Sequence, residues 1–261
     1  MCPDFDEVAR RKELKQVEWR RIRRNKDADL LETVEEVFDR RTVMALYGLI
    51  NKGVIEGMKG VVKAGKESRI YLAGGMNGED LAIKIYLTSS MEFKKSMLQY
   101  IQGDPRFKIG HDYRRIVNTW AQKEFKNLTE ATRAGVPVPR PIHVEENILI
   151  MEFLGEDGVP SPILKEIPKQ YLYLGMYEEI IKSADRLYRV GNLIHADLSE
   201  YNVMVHNGKT YLIDFGQAVP REHPMAEEFL RRDIGNIIRF FDKAGIGVPD
   251  VEEVLKWMKR T

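Results

Sequence analysis

The strongest constraint on this chain is a pair of short segments, His195-Ala-Asp-Leu-Ser-Glu-Tyr-Asn202 and Ile213-Asp-Phe-Gly216, separated by VMVH-NGK-TYL. The intervening residues predict two short strands joined by a tight turn, which sets Asp214 at a strand end across the hairpin from Asn202. Asp197, Asn202 and Asp214 can then bring their oxygens together. Phosphoryl transfer asks for little else from a protein: one carboxylate to orient the attacking hydroxyl, and oxygen ligands for Mg²⁺. Asp197 suits the first task, Asn202 and Asp214 the second. Taken singly, an N-cap aspartate, a turn asparagine and a strand-end aspartate are commonplace. Their joint spacing in a strand–turn–strand context is what points to chemistry.

Hydrophobic patterning around this pair predicts an α+β, two-lobed architecture. Residues 5 to about 52 read as two helices, the second with Leu30, Leu31, Val34, Val37 and Phe38 at helical spacing; Thr42 is a further start signal and Gly53 a stop. From Val54 to Leu87 the pattern turns to three antiparallel strands, with Asn77-Gly78 marking a hairpin turn. Residues 88–113 lose periodicity and predict a mobile loop with a short helix. Arg114 to Ala134 is helical, PIHVEE and NILIMEFL are strands, and 168–190, 225–244 and 249–260 are helices. The expected organisation is a helical extension over 1–53, a strand-rich N-lobe over 54–154 and a reduced helical C-lobe over 155–261. Two unlike lobes meeting at a short connector make a natural ligand cleft.

Composition limits the partners. Across 261 residues, 41 basic and 40 acidic side chains nearly cancel, so global charge selects none. Between Arg10 and Lys26, however, nine Lys/Arg stand against Glu13 and Glu18, with Trp19 among them. This is either a solvated helical arm or a surface for a phosphate backbone. Cys2 is the single cysteine, which excludes an intramolecular disulfide and fits a reducing, cytoplasmic setting. No apolar run is long enough to span a bilayer, no signal peptide is expected, and the five histidines lack the spacing of a zinc site.

HADLSEYN resembles the signature of the RIO family of atypical serine protein kinases, Rio-one type, and the resemblance extends from about Val54 to the C-terminus. It implies a kinase-like fold, use of ATP with Mg²⁺ or Mn²⁺, autophosphorylation or ATPase activity, and partners in the pre-ribosomal small subunit. It also implies transient phosphorylation of Asp214, with ATP hydrolysis as a release switch. Lys84, in the alternating strand AIKIY, would hold the α- and β-phosphates, and Glu124, in WAQKEFKNL, would orient it; Glu130 lies on the same helix. Gly65-Lys66-Glu67-Ser68 fits the family's phosphate turn in place of a glycine-rich loop. Met151-Glu152-Phe153-Leu154 takes the hinge position, with Glu152 and Leu154 offering backbone groups to adenine and Met151 lining the pocket. Asp233 is expected to brace the catalytic-loop backbone, and His195 to pack rather than act as base.

Only 45 residues follow Gly216, with no APE motif, which leaves no room for the helical subdomain that usually supports peptide substrates. Two other functions compete. A small-molecule kinase of the aminoglycoside or choline type shares the HxDxxxxN loop but calls for a larger helical lobe and an acidic pocket. A nucleotide-switched RNA-binding assembly module would use the Arg10–Lys26 stretch. Ser89, Ser90 and Ser96 are candidate phosphoacceptors. The sequence sets no oligomeric state.

Overall fold

The computed structural model describes residues 38–88, 97–108 and 112–260. The basic stretch and most of the expected N-terminal helices, as well as Ser89, Ser90 and Ser96, lie outside these residues. Helix α1 (Arg40–Asn51) starts at Asp39, whose carboxylate accepts the Arg41 and Thr42 N–H groups. Thr42, the start signal in the sequence, lies inside the helix and is fully buried, its hydroxyl within hydrogen-bond reach of the acceptor oxygens of Asp39 and Asn147. Strands β1 (Gly57–Ala64), β2 (Ser68–Gly74), β3 (Asp80–Tyr86), β4 (Pro141–Glu145) and β5 (Ile148–Glu152) form one antiparallel sheet in the order β1-β2-β3-β5-β4.

β3 is thus the central strand, and its period-two alternation divides it between two environments. Leu81, Ile83 and Ile85 pack with Leu46 and Leu49 of α1 and with Ile148 and Ile150. Ala82, Lys84 and Tyr86 face the other way, toward helix α2 (Tyr113–Arg133). Cross-strand partners share a face, so Leu149 and Met151, opposite Lys84 and Ala82, also lie on that side. Lys84 is therefore not an edge-strand lysine on the solvent side: it sits mid-sheet and is 5% exposed.

The C-terminal part is helical: α3 (Leu174–Arg189), α4 (Ala226–Lys243) and α5 (Val251–Met258). α3 begins later than the sequence pattern suggests, because 3-10 turns at Leu164–Glu166 and Lys169–Tyr171 precede it around Pro168. Four short pieces, β6 (Gly155–Glu156) with β7 (Val159–Pro160) and β8 (Leu193–Ile194) with β11 (Val219–Pro220), were not legible from period alone. The expected hairpin is β9 (Val203–His206) and β10 (Lys209–Leu212). Within 88–113, residues 97–101 are helical, and Met97, Tyr100 and Ile101 are buried in the main core, so this part is packed rather than loose. One buried cluster runs from α2 through β8 to α4 and α5. Among the described residues, no helix is long and apolar enough to cross a membrane.

Candidate active site

Three elements remote in sequence meet at Lys84. Its ammonium lies 2.9 Å from both oxygens of Glu124 on α2 and 2.9 Å from Oδ1 of Asp214, which follows β10. Lys84 and Glu124 are buried, whereas the Asp214 side chain is half exposed. Burial alone would lower the Lys84 pKa, but the two carboxylates outweigh it and push it up. For Glu124, burial dominates and raises the carboxyl against the pull of Lys84. Asp214 loses some solvent to its surroundings, which raises it, but Lys84 beside its half-exposed carboxylate prevails and keeps it below the usual range. Glu130, the alternative partner on the same helix, instead pairs with Arg106 at 2.5 Å.

The loop carrying Asp197 is held from beneath. Asp233, buried on α4, accepts the Ala196 N–H at 2.7 Å and the Leu198 N–H at 3.0 Å. Arg232 donates to the Ala196 carbonyl, and Asn236 to that of Leu198 at 3.1 Å. These bonds fix Ala196 at φ 61°, a left-handed conformation that costs a non-glycine residue about 1–2 kcal/mol. Asp214 is left-handed too, at φ 65°. His195 is buried and packs against Phe215 with ring centroids 4.7 Å apart and planes inclined by 60°, and its Nε2–H donates to the Ile213 carbonyl at 3.0 Å. Burial pushes its pKa down to about 4, so the imidazole is neutral and engaged in structure.

Asn202 donates through Nδ2 to the Asp197 carbonyl (2.8 Å) and to Asp197 Oδ2 (2.9 Å). Its backbone carbonyl accepts the Ile213 N–H at 3.0 Å, which ties the two signature segments together. This leaves Asn202 Oδ1 and Asp214 Oδ2 without a partner among the described residues. Two hard oxygens, one anionic, are the donor chemistry that Mg²⁺ shares with substrate phosphates and water. Among the described residues no three His, Cys, Asp or Glu side chains form a metal-holding group. Burial, then the Asp214 charge, raises Asp197 to about 6. Glu67 is raised as well, by the protein around it and by Asp214, which brings the turn before β2 within electrostatic reach of the cluster.

The remaining expected residues are dispersed. Gly65 closes the β1–β2 turn through its N–H to the Ser68 carbonyl (3.0 Å), and the Glu67 carbonyl accepts the Leu87 N–H (2.9 Å). Lys66 is exposed, and neither it nor Ser68 makes a side-chain hydrogen bond among the described residues. At the end of β5, the Glu152 N–H and the Leu154 carbonyl are taken by Arg140 and Ser161, while the Leu154 N–H has no backbone partner among the described residues. Sequence reasoning missed Lys123 and Asn127. Lys123, fully buried, donates to the carbonyls of Gly216 (3.0 Å) and Ala218; Asn127 donates to those of Phe215 and Ala218, both at 2.9 Å. The detectable signal was the i, i+4 spacing of these two polar residues beside Trp120, Ala121 and Leu128. Gly216 is required by close approach, because an added Cβ would lie 2.8 Å from the Trp120 indole.

Residues 69–254 match the family model of the RIO domain. The RIO-type serine/threonine-protein kinase Rio1 of Haloferax volcanii is 43% identical over 243 residues, covering 93% of this chain and 82% of that protein. The serine/threonine-protein kinase RIO1 of Homo sapiens is 38% identical, and the match covers 90% of this chain but 43% of that protein. A crystal structure described as the Rio2 kinase-ADP/Mg²⁺-phosphoaspartate complex from Chaetomium thermophilum aligns with a TM-score of 0.63 at 21% identity, over 82% of this chain and 65% of that one. At that identity the likeness speaks to the fold alone.

Proposed function

Since the chain belongs to the RIO domain family, we propose that it is an ATP-dependent serine/threonine protein kinase with its reaction centre at Asp197. The observation that carries this reading is the three-way contact of Lys84 with Glu124 and Asp214, beside a loop that presents Asp197 and Asn202. In it, Glu124 steers the Lys84 ammonium, which binds the α- and β-phosphates of ATP. Backbone groups of the 65–68 turn cover the phosphates, and Glu152 to Leu154 meet the adenine, with Met151 behind it. The Asp197 carboxylate accepts the hydrogen bond of the acceptor hydroxyl and takes its proton as oxygen bonds to the γ-phosphorus and ADP leaves. Asn202 and Asp214 would hold Mg²⁺ or Mn²⁺, which when bound neutralises charge on the phosphates.

The Rio2 complex named above contains a phosphoaspartate, and Asp214 is the residue suited to that chemistry here, since one of its oxygens is free of protein partners. We therefore extend the proposal to ATP hydrolysis through phospho-Asp214. Work in small ribosomal subunit maturation, in the cytoplasm, rests on family resemblance. Radiolabelled ATP tests the central claim. Wild type should transfer label to serine and release phosphate only with Mg²⁺, Lys84→Met and Asp197→Ala should fall by at least ~100-fold, and label on Asp214 should be released by hydroxylamine. Equal labelling of wild type and Asp197→Ala would refute it. Rapid phosphorylation of an aminoglycoside or choline, well above autophosphorylation, would favour the small-molecule alternative.

A further inference from the structure

A cavity of about 350 Å³ opens where the segment before α3 meets the outer face of α4. Four cations line it, Lys165, Lys169, Arg239 and Lys243, against a single acid, Glu200. Lys165 lies 3.7 Å from that acid and over the exposed Tyr201 ring, and Lys169 donates to the Lys243 carbonyl at 3.3 Å. Arg239 and Lys243 are exposed, and among the described residues neither positive group has a hydrogen-bond or ion-pair partner. Three positive charges are therefore in excess in one recess.

This recess shares a wall with the catalytic loop. Glu200 and Tyr201 belong to that loop, the Lys165 N–H donates to the Glu200 carbonyl (3.0 Å), and Asn236, itself lining the cavity, holds Leu198. From Asn236 to Lys243, α4 rises about 10 Å at ~1.5 Å per residue. An extended peptide covers that distance in about three residues. We propose that the recess receives the acidic side chains of a serine-bearing substrate segment, within about three to five residues of the acceptor. The proposal rests on the protein-kinase reading above and supplies the substrate class that reading lacks. A compact, partly open recess, lined in part by Ile167, Leu172 and Phe240, fits one or two carboxylates. Nucleic acid would call instead for cations extended along a track.

Three peptides that differ only in carrying Glu-Glu, Gln-Gln or Lys-Lys near one serine decide the matter. With the full chain and ATP·Mg²⁺, the Glu peptide should exceed the Gln peptide about tenfold in kcat/KM, through KM, and the R239E/K243E variant should prefer the Lys peptide. Anisotropy of the same peptides, fluorescein-labelled, reads binding without turnover and should give the same order. If binding prefers Glu-Glu but no peptide is phosphorylated, the kinase reading fails while the anionic recess stands. Equal binding of all three peptides, or an unchanged preference in R239E/K243E, overturns the recess. So does tight binding of a single-stranded RNA 12-mer that R239E/K243E abolishes, with no peptide preference.

Discussion

Asp233→Asn isolates the brace beneath the catalytic loop. The aspartate is 2% exposed, and its two oxygens accept the Ala196 and Leu198 N–H groups at 2.7 and 3.0 Å. Asparagine has the same shape but keeps one acceptor and turns an NH₂ toward the other N–H. Orphaning one buried backbone donor costs about 1–3 kcal/mol; burial pushes the Asp233 carboxyl up to about 8, so above that pH the surviving bond also loses charge assistance worth about 1 kcal/mol. Removing a buried charge returns part of this. The expected net loss is about 2–3 kcal/mol, which lowers Tm by roughly 5–10 °C in a chain of this size. The loss should be local as well as global, because Ala196 is held at φ 61° and relaxes once its anchor weakens. Thermal unfolding gives the first quantity, and native-state hydrogen exchange at the Ala196 and Leu198 amides gives the second. Exposed Asp242→Asn on the same helix is the control and should change neither. An unaltered Tm together with unaltered protection of both amides would refute the bracing argument.

Two further outcomes follow from other buried groups. Asp197, raised to about 6 by burial and by Asp214, can serve in the proposed proton-accepting role only when ionised, so the rate should rise with pH through about 6 and level off above it. A rate profile flat between pH 5 and 7 would contradict that role. Lys123 is lowered by burial to about 7, well below the value near 10.4 of an unfolded lysine. Between these values the unfolded chain binds the extra proton, so the folded state gains stability as pH rises. Lys123→Met should flatten that rise in urea midpoints measured from pH 7 to 10, and a slope equal to wild type would exclude the assignment.

The sequence revealed groups whose role is local or whose partners recur in a motif. The kinase resemblance paired Lys84, in an alternating strand, with Glu124, on a helix with apolar neighbours, and Asp233 stood out as an acid in an apolar helix, although α4 begins seven residues before it. What was hidden depends on distant backbone. Lys123 looks like a solvated helix lysine until the Gly216 and Ala218 carbonyls, 93 and 95 residues away, are placed against it. Asp39 was passed over because its work is equally remote: it accepts from Thr88 as well as from Arg114, and the bonds it accepts outweigh the effect of burial and hold its carboxyl at about 2. Tyr100 and Ile101 escaped notice because the residues around them lack a helical period long enough to register. β8 and β11 are two residues each, too short for alternation to show.

The arrangement of α2 explains how a sheet and a helical region can share one site. Consecutive residues face two ways: Glu124 reaches Lys84 on the sheet, while Lys123 and Asn127 hold the carbonyls of residues 215–218. Arg106 joins the same helix through Asn127 (2.8 Å) and Glu130, and is itself held by Asp104. Any shift of α2 therefore displaces the partner of Lys84 and the backbone behind Asp214 together, and Lys84 already bridges the two. Apolar packing reinforces this, because Trp120, Leu128 and Phe215 belong to one cluster with the C-terminal helices. Groups coupled this closely do not contribute independently. Once Glu124 is removed, Lys84 retains only Asp214, and loosening the 215–218 carbonyls then moves that last partner too. The losses from Glu124 and Lys123 substitutions must therefore fail to add, which marks Lys84 and Asp214 as parts of one assembled unit.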